Sequence, residues 1–392
     1  MADEQPSRQG QQQTAFRRCE KRYSRRDQEL DLSGVIDFRS VDAPWPPTNN
    51  ADGVRRVRLT HDLATPSSLP LEVFRQKRPP AYALEAHPGL IVIPDALTDA
   101  GQRWLARKCL CDCTRSPNRT NLDPFFEMPD RSLFSLAFSP EPPAGQAADA
   151  HSASVSGAMQ GRTTMIRSRA ETDSVQADVT RPKGKFYTQS ETPAGLLGHL
   201  RWCTLGQQYN WTTKQYDLGT STFDKDLDAL MRAIAEAITD PVIILGHADD
   251  EQPQPWPSSY DGRMFVSQAG IVNFYDQRTT MAGHVDKTEE NMDAPLISTS
   301  VGLTCVYLVG GVTRDTEPTA FLLRSGDVLA MCGRSRLAFH GVPRVLPDTA
   351  PLYLSDPESG ATDVEATEYP QWGHFAEYLA THRINCNARK CS

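Results

Sequence analysis

His284-Val285-Asp286, followed far downstream by His340 within Arg336-Leu337-Ala338-Phe339-His340-Gly341-Val342-Pro343-Arg344, decides how the chain is read. Two histidines and one carboxylate, with two of the three a single residue apart, form the donor set of a facial-triad iron(II) site. Such a site keeps positions open for a co-substrate and oxygen. In a β-strand, residues i and i+2 project from one face. The spacing therefore predicts His284 and Asp286 on one strand, with Val285 packed on the other side, and the third donor supplied by a distant segment. His-x-Asp alone arises by chance, and His340 after Leu337-Ala338-Phe339 also suits a core histidine. The neighbouring pattern has to carry the weight.

Upstream stands Asn273-Phe274-Tyr275, again an i, i+2 pair, so an amide and a phenol can point into the cavity that holds the metal and hydrogen-bond a carboxylate. Near the C-terminus, Arg383, Asn385, Asn387 and Arg389 share one face if this stretch is a strand. Arginine grips carboxylates bidentately, which suits a dicarboxylate co-substrate.

Taken together, Asn273-x-Tyr275, His284-x-Asp286, His340 and Arg383-x-Asn385-x-x-x-Arg389 resemble the AlkB family of iron(II)/2-oxoglutarate dioxygenases, in family order. Segments 295–302, 308–311 and 323–328 share the likeness. It is strongest to the eukaryotic AlkB homologue 1 subfamily, through Gly34–Phe38, His87–Pro94, Asn121–Asp123 and Leu200–Trp211. The resemblance implies a mostly β, α+β protein, a double-stranded β-helix (jelly roll) with an N-terminal nucleotide-recognition extension. It implies iron(II) on His284, Asp286 and His340. It implies 2-oxoglutarate and O2 as co-substrates, with Asn273, Tyr275, Arg383, Asn385 and Arg389 around the 2-oxoglutarate. Hydroxylation of an N-methyl carbon would release formaldehyde and the bare base. Gln207, Gln208, Tyr209 and Asn210 match the nucleotide-recognition side, with Tyr209 as a candidate base-facing ring, and Trp202 and Trp211 beside it. Arg314 falls where the bacterial enzyme has a substrate-contacting arginine. Thr288 replaces the acid that there recognises the base, which departs from an alkyl-repair specificity.

Composition sets the frame. A chain of 392 residues, 39% hydrophobic, supports one large catalytic domain or two smaller ones. No run of 18 apolar residues or secretory leader is visible, so an intracellular protein without membrane attachment is expected, in nucleus or cytoplasm, with the mitochondrion as a third compartment. Nine cysteines at this length do not suggest a disulfide framework. Cys109, Cys111 and Cys113 read as free thiols at a helix end, with a soft-metal site as the alternative. The net charge of −8 argues against a broad grip on nucleic acid, yet residues 17–26 carry six basic side chains, Arg17, Arg18, Lys21, Arg22, Arg25 and Arg26, against Glu20.

The expected organisation is a disordered basic arm over 1–30, an N-terminal extension over 31–195 with a mobile insertion near 140–176, and a catalytic domain over 196–392. Residues 40–80 read as irregular. Helices are expected over 98–110, 225–238 and 372–379, and strands over 296–308, 320–324 and 328–332. The expected partner is tRNA or DNA with methylated bases, acted on by a monomer. A histone or other protein substrate, or a non-enzymatic nucleic-acid-binding module, are the alternatives.

Overall fold

A computed structural model of the chain describes residues 13–39, 53–138, 165–172, 185–210, 215–217, 222–245, 252–255, 260–290, 292–359 and 369–392. The N-terminal half supplies helix α1 (Ala15–Ser24), strands β1 (Val54–Arg58), β2 (Ala81–Leu84) and β3 (Leu90–Ile93), helix α2 (Asp99–Arg107), and short helices α3 (Leu133–Phe138) and α4 (Pro193–Leu197). Then come β4 (Trp202–Gly206), the hairpin β5 (Gln208–Asn210) and β6 (Gln215–Asp217), helix α5 (Lys225–Ala237), β7 (Val242–Leu245) and β8 (Gln252–Pro255). The remainder is β9 (Ala269–Asp276), β10 (Met281–His284), β11 (Leu296–Gly302), β12 (Cys305–Val309), β13 (Thr319–Leu323), β14 (Val328–Met331), β15 (His340–Val345), α6 (Leu352–Ser355), α7 (Trp372–Leu379) and β16 (His382–Arg389).

Two antiparallel sheets face each other. The larger runs β4-β9-β16-β11-β14-β3-β2-β1-β7-β8, the smaller β10-β15-β12-β13. The alternation of residue types explains the layering. In β16, Ile384, Cys386 and Ala388 pack into the core beneath the helices, while Arg383, Asn385, Asn387 and Arg389 face the space between the sheets. In β9, Val272 and Phe274 face the same core, and Ile271, Asn273 and Tyr275 face that space. The period of two puts every polar candidate on one side. Helix α5 closes the outer face with Leu227, Leu230, Met231 and Ile234. Asp224 caps it, accepting from the N–H groups of Asp226 and Leu227, and Thr98 caps α2 by accepting from Gly101. This is the jelly-roll, α+β architecture expected from the sequence.

Several expectations are corrected. Within the arm read as disordered, residues 15–24 form α1, with Phe16 and Tyr23 buried against Val306, Leu308 and Leu322. Its apolar stripe, Phe16, Cys19 and Tyr23, is narrow and is outnumbered by charge, so the helix depends on docking rather than on propensity. The stretch 296–308 is two strands, not one. Gly302 adopts φ +90°, and a Cβ there would lie 2.3 Å from the His382 carbonyl oxygen, so the chain turns at 303–304. Residues 54–58 of the supposedly irregular segment are a strand. Together with β2 and β3 it extends the catalytic sheet, so the 195/196 boundary is crossed by one continuous ladder. Most of the 140–176 insertion lies outside the described residues. The described part, 165–172, is tied down by backbone bonds between Ile166 and Glu191. Cys109, Cys111 and Cys113 are buried free thiols, the first two in a π-turn (Lys108–Asp112) that continues α2 and the third just after it. No helix among the described residues is long and apolar enough to cross a membrane.

Candidate metal and co-substrate centre

The smaller sheet brings the two histidines together. Strands β10 and β15 pair antiparallel with His284 opposite His340, and the imidazole centroids lie 4.4 Å apart. Asp286 lies past the last residue of β10, in a segment with no strand partner, so the sequence-based picture of both donors on one strand is corrected. Val285 also lines the cavity rather than packing behind it. One donor atom from each of His284, Asp286 and His340 lies within 4.8 Å of the others. His340 Nε2 is 3.6 Å from Asp286 Oδ2. The Nδ1 atoms of His284 and His340 stand 3.0 Å and 3.2 Å from the carbonyls of Ala282 and Ala338. As donors to those carbonyls they fix the tautomer that leaves each Nε2 lone pair for a metal.

The electrostatics suit a cation held by a carboxylate and a neutral imidazole. Burial, then the neighbouring His340, lowers the basicity of His284. Burial would raise the Asp286 carboxyl, but Arg389 and the two imidazoles outweigh it and hold the group well below the ordinary carboxylate range. Arg389 Nη1 is 3.3 Å from Asp286 Oδ1 and 2.9 Å from Glu289 Oε1, and Arg336 Nη2 is 2.9 Å from Glu289 Oε2.

The three donors open on a cavity of about 620 Å³ between the sheets. Arg383 lies at its wall, opposite Tyr275 in the β16–β9 register, as Asn385 lies opposite Asn273. The Arg383 guanidinium is buried. It donates through Nη1 to the carbonyls of Leu303 and Leu323, each at 3.1 Å, and through Nη2 to Ser300 Oγ at 2.7 Å. Nε has no partner. A guanidinium has five N–H donors, so Nε–H and one Nη2–H are left, the edge that a carboxylate engages side-on. An orphaned donor of this kind in a buried wall fits a carboxylate-bearing co-substrate, and two nitrogens with one carboxylate oxygen fit iron(II). Asn385 is less free, since its Nδ2 donates to the Thr299 carbonyl at 3.1 Å.

The chain as a whole resembles known proteins. Residues 158–389 match the family model of the 2OG-Fe(II) oxygenase superfamily. The mouse "Nucleic acid dioxygenase ALKBH1" is 30% identical over 389 residues, covering 96% of this chain and 83% of its own. This chain belongs to the AlkB family of iron(II)/2-oxoglutarate dioxygenases. The "DNA N(6)-methyladenine demethylase ALKBH1A" of Arabidopsis thaliana is 29% identical, covering 96% of both chains. The "tRNA demethylase abh1" of Schizosaccharomyces pombe is 29% identical, covering 78% of this chain and 84% of its own.

In this AlkB-family chain the candidate substrate residues separate into two groups. Gln207 and Thr288 line the cavity with Trp202, and Gln207 Oε1 is buried without a partner. Gln208 is turned away, its amide engaged by Thr204 Oγ1 and the Gly206 carbonyl. The side chains of Tyr209 and Asn210, and all of Trp211, lie outside the described residues. Arg314 does not line the cavity. Its Nη2 donates to the Gly283 carbonyl at 2.7 Å, and its guanidinium stacks on Phe339 at 4.9 Å.

That contact exposes a support that sequence reasoning missed. Between the pairs Met281–Val342 and His284–His340, β10 carries one more residue than β15. Such a bulge turns peptide groups away from the ladder. The Gly283 N–H is instead taken by the buried Glu20 carboxylate of α1, whose other oxygen accepts from Arg17 at 3.0 Å. The glycine next to His284 is therefore held on both sides, its N–H by Glu20 and its carbonyl by Arg314. Close approach requires glycine, since a Cβ on residue 283 would lie 2.3 Å from the Phe16 ring. Gly283→Ala is expected to destabilise the protein by about 1–3 kcal/mol through overpacking and to lower metal affinity. Thermal melts and metal titration check this, and an unchanged melting point with unchanged affinity would contradict the clamp. Glu289 and Arg336 were also missed. In sequence, Glu289 sits in a polar run, Lys287-Thr288-Glu289-Glu290, that reads as a solvated loop, yet its side chain is fully buried.

Proposed function

We propose that this dioxygenase oxidatively demethylates methylated bases in nucleic acid. His284, Asp286 and His340 would hold iron(II), and Arg383, with Tyr275 and Asn273 beside it, would take the far carboxylate of 2-oxoglutarate. Arg389 would serve the near end and Asn385 the wall between. Bound there, iron and 2-oxoglutarate supply the oxidation of a carbon by O2, with succinate and CO2 as the co-substrate's products. The chain's own part is to bind, orient and exclude water. Burial raises the Tyr275 phenol well above its ordinary range, so Tyr275 stays a neutral hydroxyl donor. Neutral His284 and ionised Asp286 keep the donor set ready for the metal at neutral pH.

The observation that carries the reading is a single cavity joining the three donors to Arg383, with Trp202, Gln207 and Thr288 on its wall. A base that has left its stack needs a stacking surface and polar atoms for its edge. Trp202 and the unpartnered Gln207 oxygen supply both. The relatives' names range over DNA, tRNA and RNA, so the shared class, base-methylated nucleic acid, is the substrate supported here. An acid is absent at Thr288, which supports a base edge different from that read by the bacterial repair enzyme. The test is a panel of 1-methyladenine and 5-methylcytosine tRNA, N6-methyladenine DNA and methylated histone peptides, read by nucleoside mass spectrometry and succinate release. Loss of methyl from at least one nucleic acid, with matching succinate, is the expected result. Turnover confined to the peptides would overturn the reading.

A further inference from the structure

We infer that Glu289 is a positioning residue for the metal centre: it braces two arginines, Arg389 and Arg336, against the side chain and the backbone of Asp286. The inference rests on the reading of His284, Asp286 and His340 as the iron site. Asp286 needs such a brace because of where the strand ends. The β10–β15 ladder stops at the His284–His340 pair, so no sheet hydrogen bond fixes residue 286. Besides His340 Nε2, at 3.6 Å from its Oδ2, two cations reach it. Arg389 Nη1 stands 3.3 Å from Asp286 Oδ1, and Arg336 Nη1 donates to the Asp286 carbonyl oxygen at 2.5 Å. One guanidinium thus orients the carboxylate, and the other pins the peptide that carries it.

Both guanidinium groups are buried, and they bear like charge beside a site meant for a cation. Glu289 lies between them and, with Asp286 beside Arg389, offsets that repulsion: its Oε1 is 2.9 Å from Arg389 and its Oε2 is 2.9 Å from Arg336. The Glu289 side chain is fully buried, and each of its oxygens is taken by an arginine. It therefore acts through Arg389 and Arg336 rather than by touching a base. Glu290, next in chain, is tied to the end of the last strand by its N–H, which donates to the Cys391 carbonyl at 2.9 Å. The segment past His284 is thus fastened to β16 by the Glu289–Arg389 pair and to the residues just after it by a backbone hydrogen bond. Partners one step beyond a metal ligand commonly set its affinity by about ten- to a hundredfold.

The test uses the full chain and cobalt(II) as the probe, titrated without nucleic acid or 2-oxoglutarate and followed by its visible absorption. Wild type is expected to bind one cobalt(II) and His340→Ala to lose it. Glu289→Gln is expected to raise the cobalt(II) Kd about ten- to a hundredfold, with Glu289→Asp recovering part of the loss. Breaking a buried ion pair can unfold a protein, so the charge-balanced double variant Glu289→Gln/Arg336→Gln is measured alongside. It is expected to show the same weakened binding in a folded protein. If wild type and His340→Ala bind cobalt(II) alike, the iron-site reading fails. If wild type binds, His340→Ala does not, and a folded Glu289→Gln or double variant binds like wild type, the brace alone is overturned. Wild-type cobalt affinity with only a raised KM for nucleic acid would likewise overturn it, placing Glu289 on the substrate side.

Discussion

His284→Ala is expected to abolish both metal binding and turnover, lowering succinate release at least about 10³-fold, equivalent to roughly 4 kcal/mol of lost transition-state stabilisation. The size follows from the site's construction. Among the described residues, His284, Asp286 and His340 are the donors grouped for the ion, and an imidazole removed from the set leaves a methyl group facing a site with open positions already. The loss should be specific. His284 sits on an edge strand beside a glycine held by Glu20 and Arg314, contacts that the substitution leaves alone. Removing a half-buried ring from the cavity wall should change the melting temperature little. The measurement is paired: iron content or cobalt(II) binding on one side, and succinate release with demethylation on the other. A folded variant that keeps more than about one percent of wild-type turnover would exclude His284 as a ligand, since such a rate leaves less than 3 kcal/mol to the residue.

The parts of the site that sequence revealed are those governed by a short period. Asn273 with Tyr275, and Arg383 with Asn385, Asn387 and Arg389, share faces because strands alternate, and the cavity contains all of them. The pairing of His284 with His340 needed no more than two strands in register. What stayed hidden depends on where strands stop. Nothing in His284-Val285-Asp286 marks the end of β10 between its two donors, so the need for a brace on Asp286 could not be read, nor could Glu289 be told from a solvated glutamate. Burial of α1 was hidden for a related reason. Its basic residues read as an arm, while the few that dock, Phe16, Glu20 and Tyr23, matter only once Gly283 and Gly310 make room for the Phe16 ring. The continuity of β1–β3 with the catalytic sheet is likewise a pairing between distant segments, β3 with β14, that no local pattern announces.

Arg383→Met is the substitution expected to separate co-substrate binding from metal binding. Methionine keeps much of the buried aliphatic stem but removes the charge and the Nε–H and Nη2–H edge that faces the cavity. Truncating one partner of a buried, hydrogen-bonded charge pair costs about 2–5 kcal/mol. The 2-oxoglutarate KM should therefore rise by about a hundredfold or more. Stability should fall as well, because the carbonyls of Leu303 and Leu323 and the hydroxyl of Ser300 lose a charged donor in the core, at about 1.5–3 kcal/mol per bond of that kind. Arg383→Lys distinguishes the two effects. Its ammonium restores charge and some of the carbonyl contacts but cannot present a fork, so stability should return further than the KM. Cobalt(II) affinity should stay near wild type in both variants, since the triad is built on other residues. The readouts are succinate release against 2-oxoglutarate concentration, cobalt(II) titration and thermal melting. An unchanged KM in a folded Arg383→Met protein would mean that the carboxylate is held elsewhere in the cavity.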